Sequence, residues 1–296
     1  MRKIDSYFKD EPTELKNAIK DKLAFPKQPD EIKSAIYGKA KPKLREIYHD
    51  KCAYCEVNIA AGAHYHVEHF RPKGNKNHKK DYPNFTGYYW LGYEWTNFLL
   101  VCPNCNTIKS DSFPLITENK RITEPKDASG NVVFDIENTK YKNEQPLLLH
   151  PVIDNDKIGE HIYFKRNGKI DYLSDKGKMS IDCYGLNRDD LRQIRAKKVL
   201  DIQLMILYLY ENGKIPSEEK IIERVREIIV TKLIRKIQND KTTFIAFRTT
   251  ILRNFEEFVI KKKIYLGQGP PIEIPQQDLW IKYAKEVLKD YSNFTP

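Results

Sequence analysis

The chain has 296 residues, enough for one large domain or for two, each with its own core. Hydrophobic residues make up 40% and charged residues 31%, and no apolar run reaches the roughly 18 to 20 residues of a bilayer span, which argues against a helical membrane protein. Lys and Arg outnumber Asp and Glu by 51 to 41, a formal +10; an excess of that sign favours a polyanionic partner, because each neutralised phosphate releases condensed counterions.

In chain order, "MRKIDSYFKDE" carries charges where a signal peptide needs an apolar segment, so the expected location is the cytoplasm. "DEPTELKNAIKDKLAF" repeats apolar residues at helical spacing, and "KPKLREIYHDKC" leads a short helix into the first cysteine. From 52 to about 115 the pattern is irregular and rich in Tyr, Trp, Asn, Pro and Gly, as in a loop-rich unit held by a metal. Residues 130–175 read as short strands, and "HIYFKRNGKIDYL" is a hairpin signal, with Asn167-Gly168 between two β-rich runs. A helix is expected from Asn187, its N-cap, to Gly213, and another begins with Ser217 as N-cap. Two more amphipathic helices follow near 241–262 and 275–291, separated by "GQGPPIEIP". The expected division is N-terminal helices in 1–50, a cysteine-bearing mixed domain in 51–180, and a helical domain in 181–296.

Five cysteines in a reducing compartment do not suggest a disulfide framework. Cys52-Ala-Tyr-Cys55 and Cys102-Pro-Asn-Cys105 are two knuckles that can offer four thiolates to one ion, the closed tetrahedral geometry of structural Zn²⁺. An iron–sulfur cluster also takes four thiolates, but nothing nearby suggests electron transfer. Cys183, alone in "SIDCYGLN", reads as a small buried hydrophobe.

Tied to the staple are "HYHVEHFRPK", "EWTNFLLVC" and "CNTIKSD". On a strand, His66 and Glu68 share a face and His69 points away, unless Arg71-Pro72 ends the strand and lets His69 turn into a cleft. Asn106 and Lys109, three apart at the start of a helix, share a face. A neutral imidazole suits a general base near pH 7. Glu68 and Asn106 are hard oxygen donors of the kind Mg²⁺ or Mn²⁺ takes. The plainer reading is that these are surface residues that merely solvate the staple. Arg71, Lys73, Lys76, Lys79 and Lys80 form a basic run that either grips a nucleic-acid backbone or is a solvated loop. The aromatic run "YPNFTGYYWLGYEW" reads as packing before base stacking.

The strings "CAYCE", "HVEHFRPK", "NFLLVCPNCNTIKSDSFPL", "EQPLLLHP" and "SIDCYGLNRDDLRQIRAKKV" together resemble the PtuB-type HNH endonucleases of Septu and retron anti-phage systems, over about residues 50 to 200. The resemblance implies an α+β fold, with a ββα-metal core stapled by a four-cysteine zinc site and followed by a mainly α-helical C-terminal region. It implies a metal-dependent endonuclease, with DNA as the first expectation for the substrate. His69 would then be the general base, and Glu68 would bind the catalytic Mg²⁺ or Mn²⁺; many HNH enzymes have Asp there, so the backbone would shift to accommodate the longer side chain. Asn106 would be a second ligand or its support, Asn97 would bond the backbone of the His-bearing loop, and Lys109 would lie near the phosphate. His66 would orient Glu68, contact substrate or be structural, and His64 has no assigned role. The implied partner is an ABC-type, PtuA-like ATPase; this chain has no P-loop of its own. The apolar faces after residue 187 are mostly bundle core, with any surplus stripe available to the ATPase or to a second copy. Two alternatives remain open: an RNA-cutting effector acting on transfer RNA, and a non-catalytic zinc-dependent module that binds nucleic acid or protein.

Overall fold

Phe98-Leu99-Leu100-Val101 is an unbroken apolar run, the pattern of a strand covered on both faces. In the computed structural model it forms β2 (Phe98–Val101), whose four residues are all 0% exposed. It pairs antiparallel with β1 (His66–His69), with His66 opposite Val101 and His69 opposite Phe98. The structure describes residues 10–20, 26, 28–59, 64–76, 83–126, 128–129, 141, 143–154, 157–239, 241–266 and 269–291. The chain divides into two units, one of Met1–Tyr163 with Asp171–Leu186 and one of Phe164–Ile170 with Asn187–Pro296.

In the first unit, α1 (Thr13–Lys20) and α2 (Ser34–Tyr37) lead to α3 (Lys41–Tyr48), which carries Pro42 in its first turn, where the missing N–H costs nothing. Leu44 and Tyr48, four apart, are buried on the face of α3 that packs on β2. The helix stops because His49 and Asp50 turn left-handed, at φ 49° and 56°. Arg45 holds that reversal by donating to the Asp50 carboxylate at 2.7 Å. The chain thus re-enters beside its own helix, which is where the first cysteine knuckle begins. After β2, Cys102 caps and Pro103 opens α4 (Pro103–Lys109).

The expected hairpin is present. Following α5 (Ile158–His161), β3 (Ile162–Phe164) and β4 (Ile170–Tyr172) pair around Lys165–Lys169, with Gly168 at φ 79°. A Cβ there would lie 2.1 Å from the Arg192 carbonyl, so only glycine makes this turn. These are the only strands found in the expected 130–175 stretch among the described residues; 130–140, 142, 155 and 156 lie outside them. Next, α6 (Asp175–Cys183) is capped by Ser174, whose Oγ accepts from the Gly177 N–H at 3.1 Å. Cys183 at its end is half-buried, where a small buried residue was expected.

The second unit is helical. It contains α7 (Asp189–Leu207), α8 (Glu218–Arg226), α9 (Ile245–Arg253) and α10 (Gln277–Lys289). Beyond Arg226 the helix widens into π turns over Glu227–Ile234 before Arg235–Gln238. Ile221, Val225, Ile228 and Ile229 recur at helical spacing and are all 0% exposed. Opposite them α10 brings Trp280, whose indole N–H donates to the Tyr210 hydroxyl at 2.9 Å. Asn187 does not cap α7: its side chain bonds both polar groups of the Ile170 backbone at 2.7 Å, and Arg188 holds the cap position. Ser217 is at the N-cap of α8, but its side chain accepts no helix N–H. The fold is therefore mixed α and β, mostly helical with small sheets. No helix among the described residues is long and apolar enough to cross a membrane.

Candidate functional site

The two knuckles converge. The ligand atoms of Cys52, Cys55, Cys102 and Cys105 all lie within 4.8 Å of one another, buried and without a disulfide. Four thiolates at the usual Zn–S length of about 2.3 Å would stand roughly 3.8 Å apart at the corners of a tetrahedron. The Cys55–Cys102 sulfur separation is 3.8 Å. The four cysteines therefore fit a structural zinc ion. Local backbone bonds set each knuckle. The Cys52 N–H donates to Val57 O at 2.9 Å, and the Ala53 N–H reaches across to Leu100 O of β2 at 2.8 Å. The second knuckle is the first turn of α4.

Beside this clasp, β1 carries Glu68 and His69 on opposite faces. Glu68 is 5% exposed, and its Oε1 forms an ion pair with the Lys109 ammonium at 2.5 Å. Lys109 is 0% exposed and also donates to the His69 carbonyl at 3.2 Å. Burial pushes the Glu68 carboxyl above its ordinary range, while the Lys109 ammonium and then the Tyr54 hydroxyl pull it back.

His69 ends β1, and its ring is buried edge-on between Tyr37 and Phe98, with centroids at 4.9 and 5.1 Å. Its Nε2 lies 2.9 Å from the Gly92 carbonyl. A carbonyl only accepts, so Nε2 carries the proton and Nδ1 is left as the basic nitrogen. Burial drives the His69 pKa down to about 3, against the upward pull of the Gly92 bond. The imidazole is neutral at pH 7.

Asn97 is 1% exposed. Its Oδ1 accepts from the Arg71 N–H at 2.8 Å, and its Nδ2 donates to Arg71 O at 3.0 Å and Leu91 O at 3.3 Å. One amide thus fixes the segment after His69 against the segment that supplies the Gly92 carbonyl. A close backbone crossing backs this up: a Cβ on Gly87 would fall 2.4 Å from Gly74 Cα.

The remaining expected residues are dispersed. Asn106 is half-buried on α4, and among the described residues no hydrogen bond joins its amide to Glu68 or His69. His66 is half-buried, its pKa lowered first by burial and then by Lys41 and His64; His64 is exposed. Arg71 is not a surface cation: it is 8% exposed and donates to the Glu144 carboxylate at 2.9 Å, with the Phe113 and Tyr141 rings against its guanidinium. Lys73 is half-buried, its ammonium 4.6 Å from the centre of the Tyr37 ring. Lys76 is open to solvent, 3.5 Å from Asp30. Lys79 and Lys80 lie outside the described residues. The aromatic run packs as expected, with Tyr88, Trp90 and Trp95 buried.

Sequence reading missed several contributors. Glu144 opens "EQPLLLHP" and receives Arg71, the Tyr88 hydroxyl and the Ile122 N–H at 3.1 Å. Tyr184 of "YGLNR" stacks on Tyr54 of the first knuckle, with centroids 3.8 Å apart, so a motif without evident chemistry serves packing at the clasp. His150 accepts the Val152 and Ile153 N–H groups on Nδ1 and lies 4.4 Å from the Phe70 ring. Gly92 contributes a backbone atom, which no side-chain pattern reveals.

Fold and site together define a mixed α and β protein, mostly helical, with a four-cysteine clasp beside a buried histidine. Over 168 residues, 54% of this chain and 51% of the relative, it is 37% identical to Septu protein PtuB of Bacillus mycoides (strain KBAB4). Over 232 residues, 77% of this chain but 28% of the relative, it is 25% identical to Septu protein PtuA of the same strain. The chain thus spans about half the length of the first relative and less of the second. No protein-family model matches it, and no solved structure does.

Proposed function

We propose that the chain is an HNH endonuclease acting as the effector of a Septu-type anti-phage system. The carrying observation is the held histidine: His69 is neutral, with Nε2–H committed to Gly92 O and Nδ1 left basic, at the end of a strand clamped by the cysteine site. In this reading β1, β2 and α4 are the ββα-metal core, and zinc bound by Cys52, Cys55, Cys102 and Cys105 is scaffold. His69 Nδ1 takes the proton of a water that attacks phosphorus, one phosphoester P–O bond breaks and the departing oxygen takes a proton from solvent; a pKa of about 3 makes this nitrogen a weaker base than an ordinary imidazole. Asn97 keeps the loop beyond His69 in place. The similarity to a PtuB supports the defence role, and an ABC-type ATPase of the PtuA kind is the proposed partner.

Glu68 and Asn106 are the residues in question for a catalytic Mg²⁺ or Mn²⁺. In this arrangement they do not fit one, because the Lys109 ammonium occupies the carboxylate. The four cysteines are also the only cluster of three or more metal-ligand side chains among His, Cys, Asp and Glu in the described residues. No step is therefore derived through a divalent ion. A second reading, a zinc-clasped binding module without catalysis, draws support from that same pair and from the burial of His69.

The deciding experiment incubates the protein, with and without the ATPase, on labelled duplex DNA, single strands and transfer RNA. His69→Ala should abolish cutting at unchanged zinc content. Cutting by that variant at the wild-type rate would refute the assignment, and no cutting of any substrate under any condition would favour the binding module.

A further inference from the structure

The Glu68–Lys109 pair has a charge pattern that the proposed reaction does not use. Two oxygens from consecutive residues, Glu68 Oε1 at 2.5 Å and His69 O at 3.2 Å, converge on one ammonium. A carboxylate and a backbone carbonyl side by side are the donors a hard cation takes. Here the cation is built into the chain. Lys109 ends α4, the helix that starts at the second cysteine knuckle, so the clasp fixes where its side chain starts. The Lys109 and Glu68 side chains are 0% and 7% exposed, and the pair is neutral as it stands. A divalent ion added to it would put two uncompensated charges into a region with little water, next to the ammonium. Both the desolvation cost and the like-charge repulsion act against that. Ion and ammonium therefore exclude one another.

We propose that Lys109 is the resident cation of this site: its ammonium ties Glu68 to the His69 backbone, and a divalent ion reaches Glu68 only by displacing it. The claim concerns occupancy of Glu68, so it stands or falls apart from the nuclease reading.

The test is Mn²⁺ uptake by the whole zinc-loaded protein, followed through loss of the electron paramagnetic resonance signal of free aqueous Mn²⁺. Wild type should take up no Mn²⁺ that depends on Glu68. Lys109→Met, which removes the charge and keeps the length, should bind one Mn²⁺ about tenfold or more tightly than wild type. That gain should vanish in Lys109→Met with Glu68→Gln. Equal binding by wild type and Lys109→Met, or a gain that survives Glu68→Gln, overturns the proposal. Zinc content and circular dichroism report folding. Should Lys109→Met not fold, Lys109→Gln keeps an N–H for the His69 carbonyl without the charge and is judged the same way. Wild type also decides by itself: tight Mn²⁺ uptake that Glu68→Gln abolishes would refute the claim, and its absence supports it.

Discussion

Asn97 meets both backbone polar groups of Arg71, accepting from its N–H at 2.8 Å and donating to its carbonyl at 3.0 Å. A side-chain amide carries one acceptor and two donors, and the second donor goes to Leu91 O. Asn97→Ala would strand both Arg71 groups inside the protein, while the Leu91 carbonyl keeps the Glu94 N–H at 3.2 Å. Each costs about 1–3 kcal/mol when left unsatisfied, so the variant should lose on the order of 2 kcal/mol or more in urea denaturation. Asn97→Asp keeps the acceptor but sets a carboxylate oxygen against the two carbonyls in a buried site, and should cost at least as much. A loss below about 0.5 kcal/mol, the range of an ordinary surface change, would show that this amide does not hold the loop.

Removing either partner of the Glu68–Lys109 pair leaves the other charge buried and alone, which typically costs about 3–5 kcal/mol. Replacing both, as in Glu68→Leu with Lys109→Met, should recover most of that loss. A double-mutant cycle measures the coupling directly. Additive single losses would mean that the two charges do not depend on each other in the folded protein.

His69 and His150 are both buried, and burial lowers each pKa to about 3 from an ordinary 6.5. Between those values the unfolded chain binds protons that the folded one does not, so stability falls as pH is lowered through 6.5 towards 3. At pH 5 each histidine accounts for about 2 kcal/mol of loss relative to pH 8. Glu68, its pKa raised by burial, works in the opposite sense as it takes up a proton. Thermal melts should show a lower Tm at pH 5 than at pH 7, and His150→Gln, which retains a side-chain acceptor, should reduce the difference. A Tm flat from pH 7 to 5 would contradict the burial of these rings.

On the nuclease reading, the described lysines of the basic run that can turn to a phosphate backbone are Lys73, which donates to the Tyr37 hydroxyl at 3.3 Å, and Lys76, 3.5 Å from Asp30. Replacing each with Gln should reduce the slope of log affinity against log salt by about 1. Arg71→Gln should leave the slope unchanged and cost stability, because it removes the cation paired with the buried Glu144 carboxylate, which keeps only the Tyr88 and Ile122 donors. A change of slope with Arg71→Gln and none with the lysines would reverse the assignment.

Zinc should be present at about one ion per chain, and Cys102→Ser or a strong chelator should release it. Trp90 and Trp95 lie between the knuckles and are 3% and 2% exposed, so losing the clasp should shift their emission to the red. Emission unmoved after complete zinc removal would mean that the thiols do not hold this unit together.

Much of the design is local and was legible in the residues. The Asn167-Gly168 hairpin, the helical periods of 218–229 and 277–289 and the knuckle spacing each follow from a few neighbouring side chains, because steric limits and hydrophobic period act over short distances. Helix caps were less legible. Asn187 has the right chemistry for a cap, yet the Ile170 backbone offers it two hydrogen bonds and takes it away. A side chain with several possible partners is assigned by whichever partner folding brings near.

For the site, the order of residues set the inventory: four thiols in two knuckles, an imidazole, a carboxylate, amides and cations within reach of the clasp. Packing assigned their use. It turned Arg71 inward to Glu144, gave Glu68 to Lys109 and committed His69 Nε2 to a glycine carbonyl. Those outcomes depend on which charges lose their water and which backbone groups lie opposite them, and both are set only when distant segments pack.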